Sequence, residues 1–297
     1  MKNVAASVRQ RLLDRSRSEN RRFDELVQYY AIERFLYRLS CSSHADCFIL
    51  KGAMLLRAWS ASDFRSTRDI DMLGMTNNDA ERLAMQMRDI LAVPVEDDGL
   101  TFCRDSLRHE QIVKEADYKG VRFKFTGLLG KIKVNMQIDF GFGDIVFPNP
   151  EETVLAPMLD FPAPKLRCYS RESLVAEKFE IMVKMGALNS RMKDFYDIWL
   201  IANRFDFEAE KLAEAIRRTF NHRGTTLPVI VEAFGEPFIT AKEAQWLAFW
   251  RRLHRTQENM AFQHVVEVLK CFLLPVAGQY AVDDSRVVRW QAPGPWI

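Results

Sequence analysis

The sequence predicts an α+β fold, with a small mixed sheet in the N-terminal half and helices in the C-terminal half. Three observations carry this. Residues 121–140 alternate apolar and polar with a period of two, five prolines crowd residues 148–164, and beyond them apolar residues recur at helical spacing. The chain has 297 residues, 48% of them hydrophobic and 28% charged, which is enough apolar material for one large domain or two modest ones. The division is expected after residue 150. An α/β lobe with N-terminal helices covers 1–150, and a helical lobe covers 151–297.

Taken in order, residues 4–40 read as helical. Val8, Leu12 and Leu13, then Leu26, Tyr29, Tyr30, Ile32 and Leu36, fall on helical spacing. Arg9, Arg11, Arg15, Arg17, Arg21 and Arg22 occupy other positions, as a solvated face or as a surface for RNA or a partner. A short apolar strand, Phe48-Ile49-Leu50, runs into the turn Lys51-Gly52-Ala53 and a helix from Met54 to Trp59. A polar loop over 60–68 leads to a strand, Asp69 to Leu73, and residues 78–92 are helical, with Leu83, Met87, Ile90 and Leu91 on one side. Val121, Phe123 and Phe125 then alternate with Arg122 and Lys124, while Ile132, Val134, Met136, Ile138 and Phe140 alternate with Lys131, Lys133, Asn135, Gln137 and Asp139. This is an antiparallel hairpin with one buried and one polar face, its turn expected across Gly127 to Gly130. The prolines at 148, 150, 157, 162 and 164 exclude a continuing helix or a central strand and mark a crossing segment. Helices are expected over 171–186, 191–204, 207–220, 239–254 and 259–273, and the tail from Gly278 has weak periodicity.

The net charge of +2 gives no global polycation, although a local basic face needs none. Cys41, Cys47, Cys103, Cys168 and Cys271 are scattered. Cys41 and Cys47 bracket His44 without a second ligand cluster, so free thiols in a reducing cytosol are the expectation. The charged N-terminus lacks the apolar core of a signal peptide, and no run reaches the roughly 18–20 apolar residues that span a bilayer. A cytoplasmic protein with no membrane association is expected.

Asp69 and Asp71 form a DxD pair. On a strand, residues i and i+2 face the same way, so the two carboxylates converge while Ile70 and Met72 point into the core. Two bare carboxylates repel, and a divalent cation relieves this; Mg²⁺, or Mn²⁺, takes one or two carboxylates plus substrate phosphates. The competing reading is a strand-end pair bridged to Arg65 or Arg68. Asp139, on the polar face of the alternating strand, adds a third carboxylate for the same metal site, with Asp144 of the GFGD segment as a competitor. Upstream, Gly52 at a strand-to-helix turn lets backbone N–H groups approach phosphates, and Lys51 supplies charge beside it. Glycine turn, helix, DxD strand and a later acidic strand make the minimal layout for nucleotidyl transfer. Arg122, Lys124, Lys131 and Lys133 lead toward Asp139, as a strip for a triphosphate or RNA end or as a solvated sheet face.

The segments FILKGAMLLRAW, RSTRDIDML, YKGVRF with VNMQIDFGFGD, and ESLVAEKFEIMVKMG with NSRMKDFYDIW occur in that order. Together, from about residue 48 to 203, they resemble the AbiEii/AbiGii-type nucleotidyltransferase toxins, the MenT-like type IV toxin–antitoxin family. The resemblance implies a nucleotidyltransferase-like fold and a toxin that transfers nucleotides from an NTP, with Mg²⁺, to an RNA acceptor, the tRNA 3′ end, with a cognate antitoxin as partner. It makes Asp69 and Asp71 the metal ligands and matches Thr67 to a Ser/Thr position two residues before the first aspartate. It matches Lys178 to a lysine that contacts the triphosphate, and Lys193, Asp194 and Asp197 to the last motif. One departure is Ala53, where such enzymes carry a second glycine or a serine, so the turn's amides and Lys51 must hold the phosphate alone.

The residues of that second group also have plainer readings. Lys178, between Leu174 and Met182, snorkels along a core helix, and Lys193 with Asp197 is an i, i+4 surface pair. With 187–190 as a tight connection, Lys178 and the Lys193-Asp194 pair can meet across one seam. Trp199, Trp246 and Trp250 are expected in the core. Nucleotide transfer to a protein or small molecule, and an inactive NTP- or RNA-binding module, are the competing functions.

Overall fold

The computed structural model describes residues 3–59, 67, 69–76, 78–114, 118–253, 259–277 and 288–297. It is a mixed α/β structure in two compact units. The first holds the described residues within 1–60, 66–143 and 151–168, and the second those within 144–150 and 169–297.

The first unit opens with α1 (Val4–Ser18), whose first turn is capped by the Asn3 side chain accepting from the Ala6 N–H at 3.0 Å. Asn20 in a left-handed conformation ends the helical run, and α2 (Phe23–Ser40) restarts it. Arg11 and Arg15 are not a free solvated face. Arg11 pairs with Asp160 at 2.7 Å, and Arg15 donates to the Met158 carbonyl at 2.5 Å, so both fasten the proline-rich crossing segment. Helix α2 is buried almost all round. Its Arg38 meets Asp98 through two hydrogen bonds of 2.8 and 3.1 Å, and its Glu33 accepts from the Met158 N–H at 2.6 Å. Buried charges of this kind are held only where partners satisfy them.

The sheet contains β1 (Phe48–Lys51), β2 (Asp69–Gly74), β3 (Leu100–Lys114), β4 (Tyr118–Leu129), β5 (Ile132–Phe142), β6 (Glu151–Val154) and β7 (Lys165–Cys168). Helices α3 (Met54–Ala58) and α4 (Ala80–Leu91) lie between its early strands in sequence. Seven strands pair in the order β3-β4-β5-β2-β1-β7-β6, with β5 parallel to β2 and β7 parallel to β1, and the remaining pairs antiparallel.

The alternation over 121–140 is borne out, since Val121, Phe123, Phe125, Val134, Met136, Ile138 and Phe140 are buried. Phe123 meets Phe140 edge-on at 5.8 Å, and Phe35 of α2 packs on Phe125 at 5.6 Å. The hairpin turn sits at Gly130-Lys131, with Gly130 at φ +58° and Leu129 opposite Ile132, and Gly127 lies inside β4. Prolines did not keep the whole crossing segment out of the sheet. Residues 151–154 form the edge strand β6, and β7 after Pro164 pairs with β1, so the first unit extends to residue 168 rather than ending at 150.

The second unit is built from α5 (Arg171–Met185), α6 (Met192–Arg204), α7 (Ala209–Arg223), α8 (Glu236–Leu253) and α9 (Phe262–Ala277). Ser170 caps α5 by accepting from the Ser173 N–H at 3.1 Å. Trp246 and Trp250 are core residues as expected, Trp246 stacking on Phe262 at 5.3 Å, while Trp199 is half-buried. The described part of the tail forms β9 (Arg289–Trp290), paired with β8 (Phe207–Glu208), and the Trp290 indole donates to the Ala202 carbonyl at 2.7 Å.

Candidate active site

Strand register gathers the carboxylates in the first unit. Lys51 on β1 lies opposite Asp71 on β2, Asp71 opposite Asp139 on β5, Asp139 opposite Arg122 on β4, and Arg122 opposite Glu110 on β3. Residues paired across strands share a face, so this is one row of charged side chains crossing five adjacent strands. The other face of the same strands carries Leu50, Met72, Phe140 and Val121, all buried, and this apolar row fixes which way the charged row points. Asp69 stands two residues before Asp71 on the same face and is exposed, whereas Asp71 is half-buried.

Gly52 closes the row at its β1 end. Its φ of +75° is in the left-handed region, and a Cβ there would lie 2.5 Å from Asp71 Oδ2. The turn backbone therefore rests against the Asp71 carboxylate, which no residue with a side chain would permit. Thr67 belongs to the approach to β2. Its N–H donates to the Tyr29 hydroxyl at 2.9 Å, and its own hydroxyl donates to the Asp69 carbonyl at 3.2 Å. Arg65 and Arg68, the alternative partners for the aspartates, lie outside the described residues.

Asp139 is 4% exposed, and Arg122 holds it through a two-pronged contact, Nε to Oδ1 and Nη2 to Oδ2, both at 2.8 Å. Hydrogen bonding to Asp139 raises the Arg122 pKa above its ordinary value despite partial burial, and the charges of Asp139, Asp69 and Glu110 act in the same direction. Asp144, the competing third carboxylate, lies in the second unit and pairs with Arg223 at 2.9 Å. There Arg223 also meets Glu180 at 2.9 Å and Glu177 at 3.5 Å. Burial alone would lower its pKa, but these three carboxylates raise it above the ordinary arginine value. The register neighbour of Asp71 is thus Asp139.

The second unit brings together Lys178, Asp194 and Asp197. Lys178 Nζ on α5 lies 2.5 Å from Asp194 Oδ1 and 2.9 Å from Asp197 Oδ2 on α6, and Arg191 Nε reaches Asp194 Oδ2 at 2.5 Å. Both aspartate side chains have no exposure, and that of Lys178 has 9%. Burial would raise the Asp194 carboxyl, but the charges of Lys178 and Arg191 and their hydrogen bonds hold it well below the usual carboxylate range. Lys178 does not snorkel outward, and Asp197 is a fully buried partner of Lys178 rather than a surface residue, while Lys193 sits exposed on α6. Arg191 was missed from the sequence although its i, i+3 spacing to Asp194 was readable there.

A hard divalent cation needs oxygen donors, and the chemistry of Asp69, Asp71 and Asp139 suits one. Among the described residues, no three acidic, histidine or cysteine side chains already converge as a metal cluster. The backbone sets three carboxylates beside one another, while the Asp139 side chain is engaged by Arg122.

A DxD strand flanked by a glycine turn and by a parallel acidic strand is the layout expected of a nucleotidyltransferase. Comparison with protein families agrees: the model described as "Nucleotidyl transferase AbiEii toxin, Type IV TA system" matches residues 34–268. The chain belongs to this family, and it is a nucleotidyltransferase. Enzymes of this kind use an NTP and a divalent metal, and membership in a type IV toxin–antitoxin family implies an antitoxin partner. Among solved structures, an H. pylori protein assigned as a nucleotidyltransferase is similar at 12% identity and a TM-score of 0.43, covering 79% of this chain and 86% of that one. JHP933 from Helicobacter pylori is similar at 11% identity and a TM-score of 0.41, covering 79% and 84%. No curated protein matches the sequence. Among the described residues no helix is long and apolar enough to cross a membrane.

Proposed function

We propose that the chain transfers a nucleotide from an NTP to an RNA acceptor, the 3′ end of a tRNA, in the cytoplasm, with Asp69 and Asp71 holding Mg²⁺ or Mn²⁺. The observation that carries this reading is the charged row across β1, β2 and β5, with the Gly52 turn against Asp71. The acceptor hydroxyl gives its proton to water, its oxygen forms a bond to the α-phosphorus of the NTP, the bond from that phosphorus to the bridging β-phosphate oxygen breaks, and pyrophosphate leaves. The metal would neutralise phosphate charge and favour the attacking alkoxide. Asp139 is its third carboxylate in this reading. Backbone amides at Gly52 and the ammonium of Lys51 face the phosphates, and Thr67 shapes the entry to the DxD strand.

In the second unit, Lys178 is the proposed triphosphate contact. Asp194 and Asp197 position its ammonium, and Lys193 offers an exposed charge on the same helix as those aspartates. A cognate antitoxin restrains the activity.

Incubation with α-labelled NTPs, Mg²⁺ and total tRNA is expected to label material that RNase removes and protease leaves, and EDTA is expected to stop it. Label that protease removes and RNase leaves would replace the RNA acceptor with a protein hydroxyl.

A further inference from the structure

Asp139 is the most buried carboxylate of the row, and its partner is a cation that the chain itself supplies. Arg122 spends both of its parallel N–H bonds on the two Asp139 oxygens, at 2.8 Å each. A carboxylate accepting a guanidinium in this two-pronged manner has its best lone pairs occupied. The same oxygens are the ones a hard cation shared with Asp71 would take, because Asp71 and Asp139 are direct register partners on parallel strands. Arg122 also has somewhere to go. Its side chain is 30% exposed while that of Asp139 is 6% exposed, so the arginine can swing outward without unfolding the strand pair. Asp69 already contributes to the field on its guanidinium, so the arginine stands within electrostatic reach of the DxD strand as well.

We propose that Arg122 is a resident counter-ion of the carboxylate site: it holds Asp139 when no divalent cation is bound and gives it up when one enters. This rests on the assignment of Asp69 and Asp71 as metal holders. In the metal-free protein the guanidinium offsets the repulsion among three neighbouring carboxylates and keeps the buried Asp139 satisfied. When the cation takes that oxygen set, the freed guanidinium remains on the same face of the sheet, where phosphate oxygens are the partner its planar fork suits. Arg122 is therefore a positioning residue for the empty site and a candidate anion contact for the filled one.

Competition has a signature that a merely structural arginine lacks. Mn²⁺ binding to the full chain without nucleotide, followed by electron paramagnetic resonance or calorimetry, is expected to tighten about fivefold in Arg122→Ala, the equivalent of about 1 kcal/mol for a lost competing ion pair. Arg122→Lys keeps the charge but not the fork, and is expected to fall between the two. Asp139→Asn is expected to weaken Mn²⁺ binding, and in the double variant the gain from Arg122→Ala is expected to vanish, because nothing is left to compete for. A folded Arg122→Ala protein whose Mn²⁺ affinity is unchanged or weaker overturns the proposal. So does a gain that survives in the double variant, which would mark plain charge repulsion. Binding of Mn²⁺ that Asp71→Asn leaves intact, or no binding at all, would instead remove the metal-site assignment and this proposal with it.

Discussion

Gly52 answers two physical requirements at the turn between β1 and α3. A glycine at the strand-to-helix turn was expected so that backbone amides could approach phosphates. The structure adds a second requirement: φ is +75°, and the space a Cβ would fill is taken by Asp71 Oδ2. Gly52→Ala should therefore cost about 1–2 kcal/mol of backbone strain. It should also push Asp71 out of place, and a misplacement of about 1 Å can cost roughly 100-fold in rate. Comparing thermal unfolding with NTP-dependent transfer checks this; a variant with wild-type turnover would show that Asp71 has no fixed position to lose. The same-face geometry of Asp69 and Asp71, and the polar orientation of Asp139, were legible because a strand alternates. The grip of Arg122 on Asp139 was not, because it depends on where the hairpin turns. A turn across Gly127 to Gly130 would set a different residue opposite Asp139, and only the turn at Gly130-Lys131 aligns Arg122 with it.

Elements with a clean period were readable, and those shaped by their neighbours were not. Helices α5 to α9 and the β4–β5 hairpin follow patterns set by the chain itself. Strand β3 hides because its register shifts between Cys103 and Arg108, where residues 104–107 bulge from the ladder and break the alternation. The α5–α6 pair carries the element-scale prediction. Helical spacing brought Lys178 and the aspartates to one seam, but burial made the contact a satisfied charge network rather than a surface pair. Removing Asp194 leaves Arg191 without this partner and Lys178 with one fewer, so Asp194→Ala should destabilise the helical unit by about 3 kcal/mol at neutral pH. The folded-state carboxyl titrates below its unfolded value, so its contribution is present above about pH 4 and is lost as the medium is acidified toward the folded pKa. Urea unfolding at pH 7 and in acid should show a shallower acid loss in Asp194→Asn than in wild type; equal acid slopes would refute the assignment.

For the whole molecule, composition and the proline cluster foretold a sheet-bearing first part and a helical second part. The boundary moved because β6 and β7, four residues each, carry too little period to be seen, and β7 joins the sheet by pairing with β1, far away in sequence. The family is set by a match that runs from residue 34 to residue 268, so its evidence spans both units. In the proposed reaction the DxD strand supplies the metal-holding carboxylates for nucleotidyl transfer. Its most direct test is α-labelled NTP transfer to tRNA with Mg²⁺ by the wild type and by Asp71→Asn, with folding checked by circular dichroism. The folded variant is expected to transfer no label above background. Label transferred at the wild-type rate by folded Asp71→Asn would contradict it.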